Sequence, residues 1–109
     1  MSLHDDKLAS LLVQMAAQYI AREAGRETLI TPTRAEIGKD RNATVFISVF
    51  PETHASHAVE FLSRHADEFR TFMKKEGRFS HLPRVKFALD AGEAHRRRLD
   101  ELSRDAELG

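Results

Sequence analysis

The chain predicts an α+β two-layer sandwich, ordered helix, strand, strand, helix, strand, with the helices on one face of a three-stranded sheet. Three observations lead there. Two long segments repeat apolar residues at helical spacing, the segment between them alternates with period two in both halves, and a short alternating run follows the second helix. A chain of 109 residues suffices for one domain, and 41% apolar residues is the composition of a globular protein. Residues 1–109 are read as a single domain in which 91–109 form a helical, frayed C-terminal tail.

Residues 5–24 form the first helix. Leu8, Leu11, Leu12, Met15 and Tyr19 make its apolar stripe, Asp5 or Asp6 can accept from the free amides of the first turn, and Gly25 suits a left-handed cap. Residues 28–50 read as a hairpin around Gly38-Lys39-Asp40-Arg41-Asn42. In its second strand Val45, Ile47 and Val49 alternate with Phe46, Ser48 and Phe50. In its first, Leu29, Thr31, Thr33, Ala35 and Ile37 alternate with Ile30, Pro32, Arg34 and Glu36. Pro32 cannot donate to a ladder, so its strand is an edge there or is bulged.

Residues 54–76 form one long helix, opened by Thr53 after Pro51 and stopped by Gly77. Ala55, Val59, Leu62, Ala66, Phe69 and Met73 lie on one face, and Arg64, Arg70 and Lys74 on the other. The third strand runs from Arg84 to Leu89, with Val85, Phe87 and Leu89 inward and Arg84 and Lys86 outward. Residues 91–106 carry only Leu99, Leu102 and Ala106 as a stripe, and Arg96, Arg97 and Arg98 there have acids at pairing distance. Packing rules then give a hairpin with a third strand added and helices stacked on one side.

Charge is unevenly spread. Seventeen basic and seventeen acidic residues cancel, yet residues 70–86 hold six basic residues against one acid, Glu76. The rest of the chain is slightly acidic, so the whole positive excess sits where a helix ends and a strand begins. Arg64, Arg70, Lys74, Arg78, Arg84 and Lys86, with Arg34 on the hairpin, are the candidate phosphate-binding residues, and Lys75 points away from them. Lys39, Arg41 and His81 can extend that set. A solvated helix end, whose dipole favours lysine in any case, is the plainer reading of the same residues.

Other chemistries find little support. There is no cysteine, which excludes disulfides and thiolate metal sites and fits a reducing cytoplasm. The start M-S-L-H-D-D-K lacks a signal-peptide layout, and no apolar run reaches membrane length. The glycines are scattered and no nucleophile has a base beside it, so no enzyme, small-molecule substrate or cofactor is expected. His54, His57 and Glu60 have metal-compatible spacing but no fourth ligand, and no metal is expected. Phe46 and Phe50 can stack on RNA bases, although packing under the C-terminal segment is the favoured reading.

Three stretches together resemble the ribosome-binding factor A family: Ile30-Thr31-Pro32-Thr33-Arg34-Ala35-Glu36-Ile37-Gly38-Lys39-Asp40; Asn42-Ala43-Thr44-Val45-Phe46-Ile47-Ser48-Val49-Phe50; and Phe69-Arg70-x-x-Met73 followed by Leu82-Pro83-Arg84-Val85-Lys86-Phe87-Ala88-Leu89-Asp90. The resemblance implies a type II KH-like fold. It also implies a non-catalytic assembly factor, monomeric and remote from membranes, that binds the immature 30S ribosomal subunit and supports late 16S rRNA maturation and growth in the cold. The family's long helix has an A-x-G kink where this chain reads His65-Ala66-Asp67. With no glycine and an unbroken apolar stripe, a straighter helix is expected. Asp67, the zero net charge and the absence of N-terminal arginines favour an alternative, a protein-interaction module of the same fold that does not bind RNA.

Overall fold

A computed structural model describes residues 3–77, 79, 81–92, 99 and 102. Its elements are α1 (Leu3–Glu23), β1 (Leu29–Ile37), β2 (Ala43–Phe50), α2 (Ala55–Arg64), α3 (Ala66–Glu76) and β3 (Val85–Leu89), with a 3-10 turn over Glu52–His54. The sheet order is β1-β2-β3. β1 and β2 pair antiparallel from Leu29↔Phe50 to Ile37↔Ala43, and β3 lies parallel to β2 from Ala43↔Val85 to Ile47↔Leu89. A parallel pair needs a long crossover, and α2 with α3 supplies it.

β2 shows why the helices sit on one side only. Ala43, Val45, Ile47 and Val49 are buried, whereas Thr44, Phe46 and Ser48 are half-buried and Phe50 is exposed. The buried set meets Leu12, Met15, Ala16, Tyr19 and Ile20 of α1, Ala58 and Leu62 of α2, and Phe69 and Met73 of α3 in one core. Phe69 is fully buried, with its ring tilted against Tyr19 at 5.4 Å and Phe87 at 5.6 Å. Burying a side chain of this kind is worth about 1.5–3 kcal/mol, so these few residues carry the layer contact. The other face of the sheet carries no helix among the described residues. No helix among them is long and apolar enough to cross a membrane.

The caps expected at Gly25 and Thr53 do not form: no glycine among the described residues has positive φ, so Gly25 is not a left-handed cap, and α2 is preceded by His54 rather than Thr53, without a side-chain cap bond. Three larger expectations also need correction. The helix expected over 54–76 is two helices, broken at His65, whose backbone (φ −100°, ψ 13°) leaves the helical region. Glycine is not needed for this conformation. The His65 amide is shared between the Phe61 and Leu62 carbonyls at 3.2 Å each, and the ring Nδ1 lies 2.7 Å from the Phe61 carbonyl while the ring stacks on Phe61. The side chain thus helps satisfy a carbonyl at the helix end. Second, the simple alternation expected for the first strand fails. Between Pro32 and Arg34 the register shifts, so Ile30 and Pro32 share the covered face with Ala35 and Ile37, and Leu29 is exposed. A bulge adds one residue and reverses the parity beyond it. Third, Leu89 is level with Ile47 on the covered side, as expected, but is 43% exposed, because it lies at the end of a strand on the sheet edge.

Of the C-terminal helix expected over 91–106, Ala91, Gly92, Leu99 and Leu102 are helical, and both leucines are exposed. The remainder lies outside the described residues.

Candidate nucleic-acid interface

The basic residues gather where α3 runs into β3. Arg70 and Lys74 are one helical turn apart on the exposed side of α3, and Lys74 and Lys75 occupy the last turn, where the helix dipole favours cations. Gly77 follows. A Cβ there would collide with the Phe79 ring and stand 3.0 Å from the Met73 carbonyl, so glycine is required for the ring to fold back on the helix end. Arg70 and Lys74 line a shallow cleft with Phe79, His81 and Leu82. Phe79 and His81 also line the adjoining cleft with His4, Lys7 and Arg41. Around the sheet end, Arg84 and Lys86 line a third with Asp40, Asn42 and Thr44.

Arg70, Lys74, Arg84 and Lys86 therefore form a belt around the hairpin-turn end rather than one flat face, while Arg64 stands apart at the end of α2. Arg64, Arg70 and Lys74 belong to the helical layer. Arg84 and Lys86 precede and alternate with Val85 and Phe87, and so face the uncovered side of the sheet. All five are exposed, and none makes an ion pair among the described residues. Arg78 lies outside the described residues. Lys75 borders a separate cleft with Tyr19, Glu23 and Glu68, as its helical phase predicts. His4 and Lys7 escape sequence reasoning because only the tertiary fold brings the start of α1 beside Phe79 and His81.

Arg34 behaves differently. Its guanidinium sits 3.9 Å from the Phe46 ring centroid, pairs with Glu36, and approaches Asp90 at 3.6 Å. Asp90 is 5% exposed and accepts a 2.6 Å hydrogen bond from the Thr33 hydroxyl. Arg34 thus reaches from the bulge on β1 across the central strand to the end of β3, and the aspartate that closes the third resemblance stretch is its anchor.

The break at His65 gives Asp67 a local role. Asp67 and Glu68 stand in the first turn of α3, where the dipole favours acids. Glu68 accepts a 3.0 Å hydrogen bond from the Tyr19 hydroxyl and lies 4.0 Å from His65 Nε2. Burial, reinforced by the hydrogen bond to Glu68, raises the Tyr19 phenol to about 12. Elsewhere His54 is bonded to Thr28 (2.6 Å), and no three metal-type ligands converge among the described residues.

No family model matches the chain, and no curated protein matches it. Solved structures do. Ribosome-binding factor A from Thermus thermophilus superimposes with a TM-score of 0.68 at 23% identity, over 78% of this chain and 94% of that one. The fold is that of ribosome-binding factor A. A Thermotoga maritima protein provisionally described as a ribosome binding factor A gives 0.67 at 24% identity, over 81% and 88% of the two chains. A Thermus thermophilus ribosome binding factor A model fitted into a map of a 30S complex gives 0.65 at 23%, over 77% and 92%. The KH-like expectation thus holds for the fold, with the helices on one face of a three-stranded sheet; the parallel direction of β3, which makes the sheet mixed, is what the structure adds.

Proposed function

We propose that this protein is a ribosome assembly factor that binds the immature 30S subunit in the cytoplasm, without catalysis, and supports late maturation of 16S rRNA. The observation that carries the reading is the belt of exposed cations, Arg70, Lys74, Arg84 and Lys86, without ion pairs among the described residues, on a fold shared with a protein seen in complex with 30S; Arg64, exposed at the end of α2, is proposed as an outlying member. Cations without an ion pair cost little to bring to a phosphate, and among the described residues no carboxylate has to be displaced from these. Arg78 is proposed for the same set from its place in the sequence. Contacts of this kind hold an RNA in register and favour one of its conformers without reading bases.

Co-sedimentation with immature 30S particles across a salt series tests the reading. Binding is expected at low salt, and the logarithm of the association constant should fall linearly with the logarithm of salt, by roughly 0.7–0.9 per tenfold rise in salt for each phosphate neutralised. Absence of binding at low salt, or indifference to salt, would overturn it in favour of a protein-interaction module. The chain is expected to act as a monomer.

A further inference from the structure

The uncovered face of the sheet has features that phosphate binding does not use. Phe50 is 63% exposed and Leu29, its partner across the β1–β2 ladder, is 65% exposed. Four residues along β2, about 13 Å away at strand rise, lies Phe46, with the Arg34 guanidinium laid over its ring. Between them the face carries the hydroxyls of Thr31 and Ser48, which are paired in register. Arg84 and Lys86 flank the same face from β3. Its acids are already engaged: Glu36 pairs with Arg34, and Asp90 is buried against Thr33 and Arg34.

We infer that this face is a stacking platform for single-stranded RNA. One base would lie on the exposed Phe50 ring and another on the Arg34–Phe46 plate, with phosphates toward Lys86 and Arg84. The chemistry fits this occupant better than a second protein chain. A protein interface at the Leu29–Phe50 pair would be apolar throughout, whereas this patch continues along β2 into hydroxyls and cations, and a single strand can offer bases to the rings while its phosphates meet the cations. A planar guanidinium on an aromatic ring also leaves a second flat surface free for a base. With RNA as the partner proposed above, this surface adds unpaired-base contacts to the phosphate contacts around Arg70 and Lys74.

The test compares a short labelled oligouridylate with an RNA duplex of equal length, by fluorescence anisotropy. Phe50→Ala should weaken the single strand about fivefold or more, the equivalent of one stacked base at the weak end of its range, and leave the duplex unchanged. Phe50→Trp, in a chain with no other tryptophan, should show an emission change on adding the single strand. Unchanged single-strand affinity, or an equal loss for strand and duplex, overturns the assignment. So does a Phe50→Ala variant that abolishes self-association in sedimentation velocity while RNA binding persists. Separately, Arg70→Glu with Lys74→Glu should release 30S particles. If that occurs while Phe50→Ala is silent, the assembly-factor reading stands and the stacking platform does not.

Discussion

The two sides of β2 follow different rules. Toward the helices, Val45, Ile47 and Val49 share one buried core with Leu62, Phe69 and Met73, where the Tyr19 hydroxyl is a polar group bonded to Glu68. Toward the other side, Phe46 lies under an arginine and Phe50 stands open. The first side specifies the fold, since a polar intrusion without such a partner would leave an unsatisfied group. The second is released from that constraint, and there the chain keeps aromatic and cationic residues that a core has no use for. A second contrast runs through the cations. Arg34 is held by a ring and two carboxylates, while Arg70 and Lys74 have no ion pair among the described residues.

The largest expected effect lies on the covered side. Phe87→Ala removes a ring that packs on Phe69 and should cost about 3–5 kcal/mol in denaturant unfolding. Phe50→Ala, on the same sheet but the opposite side, should cost about 0.5 kcal/mol or less. Comparable losses at both positions would mean that the open face is packed in solution.

The cations come next. Arg34→Ala strips the guanidinium from the buried Asp90 and should lower stability by about 2 kcal/mol, because a hydrogen bond or ion pair to a buried charge is lost. Asp90→Asn in the same background should recover part of that loss, since a neutral amide no longer needs the cation. Arg70→Ala, on an exposed helix face, should change stability by less than about 0.5 kcal/mol. For binding the order reverses: Arg70→Glu with Lys74→Glu should weaken 30S association about tenfold or more at low salt and flatten its salt dependence, with the melting temperature preserved. A double variant that binds normally would move the interface off α3.

The difference between the two sides also explains what the sequence made legible. Helical and period-two repeats report burial, so α1, the hairpin, β3 and most of the core could be read directly from Leu12, Met15, Val45, Ile47 and Phe69. The bulge is announced by Pro32, but its consequence is not: the extra residue at Thr33 exchanges the faces of Leu29 and Ile30, and pattern counting assumes no insertion. The break at His65 hides for a related reason. Leu62 and Phe69 are two turns apart and stay in phase across it, while what ends α2 is a histidine bonding back to Phe61, a local polar contact without periodicity. The candidate site was legible as a charge excess, but not as a belt. That Arg84 and Lys86 face away from the helical layer follows from the strand's parity, whereas the meeting of Lys7 and His81 along one cleft is a long-range arrangement with no sequence signal.

A smaller loss than at Phe87 or Arg34 is expected at the join between α1 and α3, on the covered side near the break. Tyr19 packs between Phe69 and Phe72 and donates to Glu68. Tyr19→Phe keeps the ring and removes the hydrogen bond, which should cost about 1 kcal/mol or less, because Glu68 is largely exposed. The pH dependence makes so small a term measurable. In the folded protein the phenol titrates at about 12, against 10.0 for an unperturbed tyrosine, because it is buried and bonded to a carboxylate. Below pH 10 it is protonated in both states and its contribution is fully present. Above that, the unfolded chain releases the proton first, so the contribution falls as pH rises and is gone once the folded pKa is passed. The stability difference between the wild-type chain and Tyr19→Phe should therefore be constant from neutral pH to about 10 and shrink from there toward 12. Unfolding curves that stay parallel through that window would show that Tyr19 titrates as it does in water, and that the α1–α3 join near the helix break admits solvent as the open face of the sheet does.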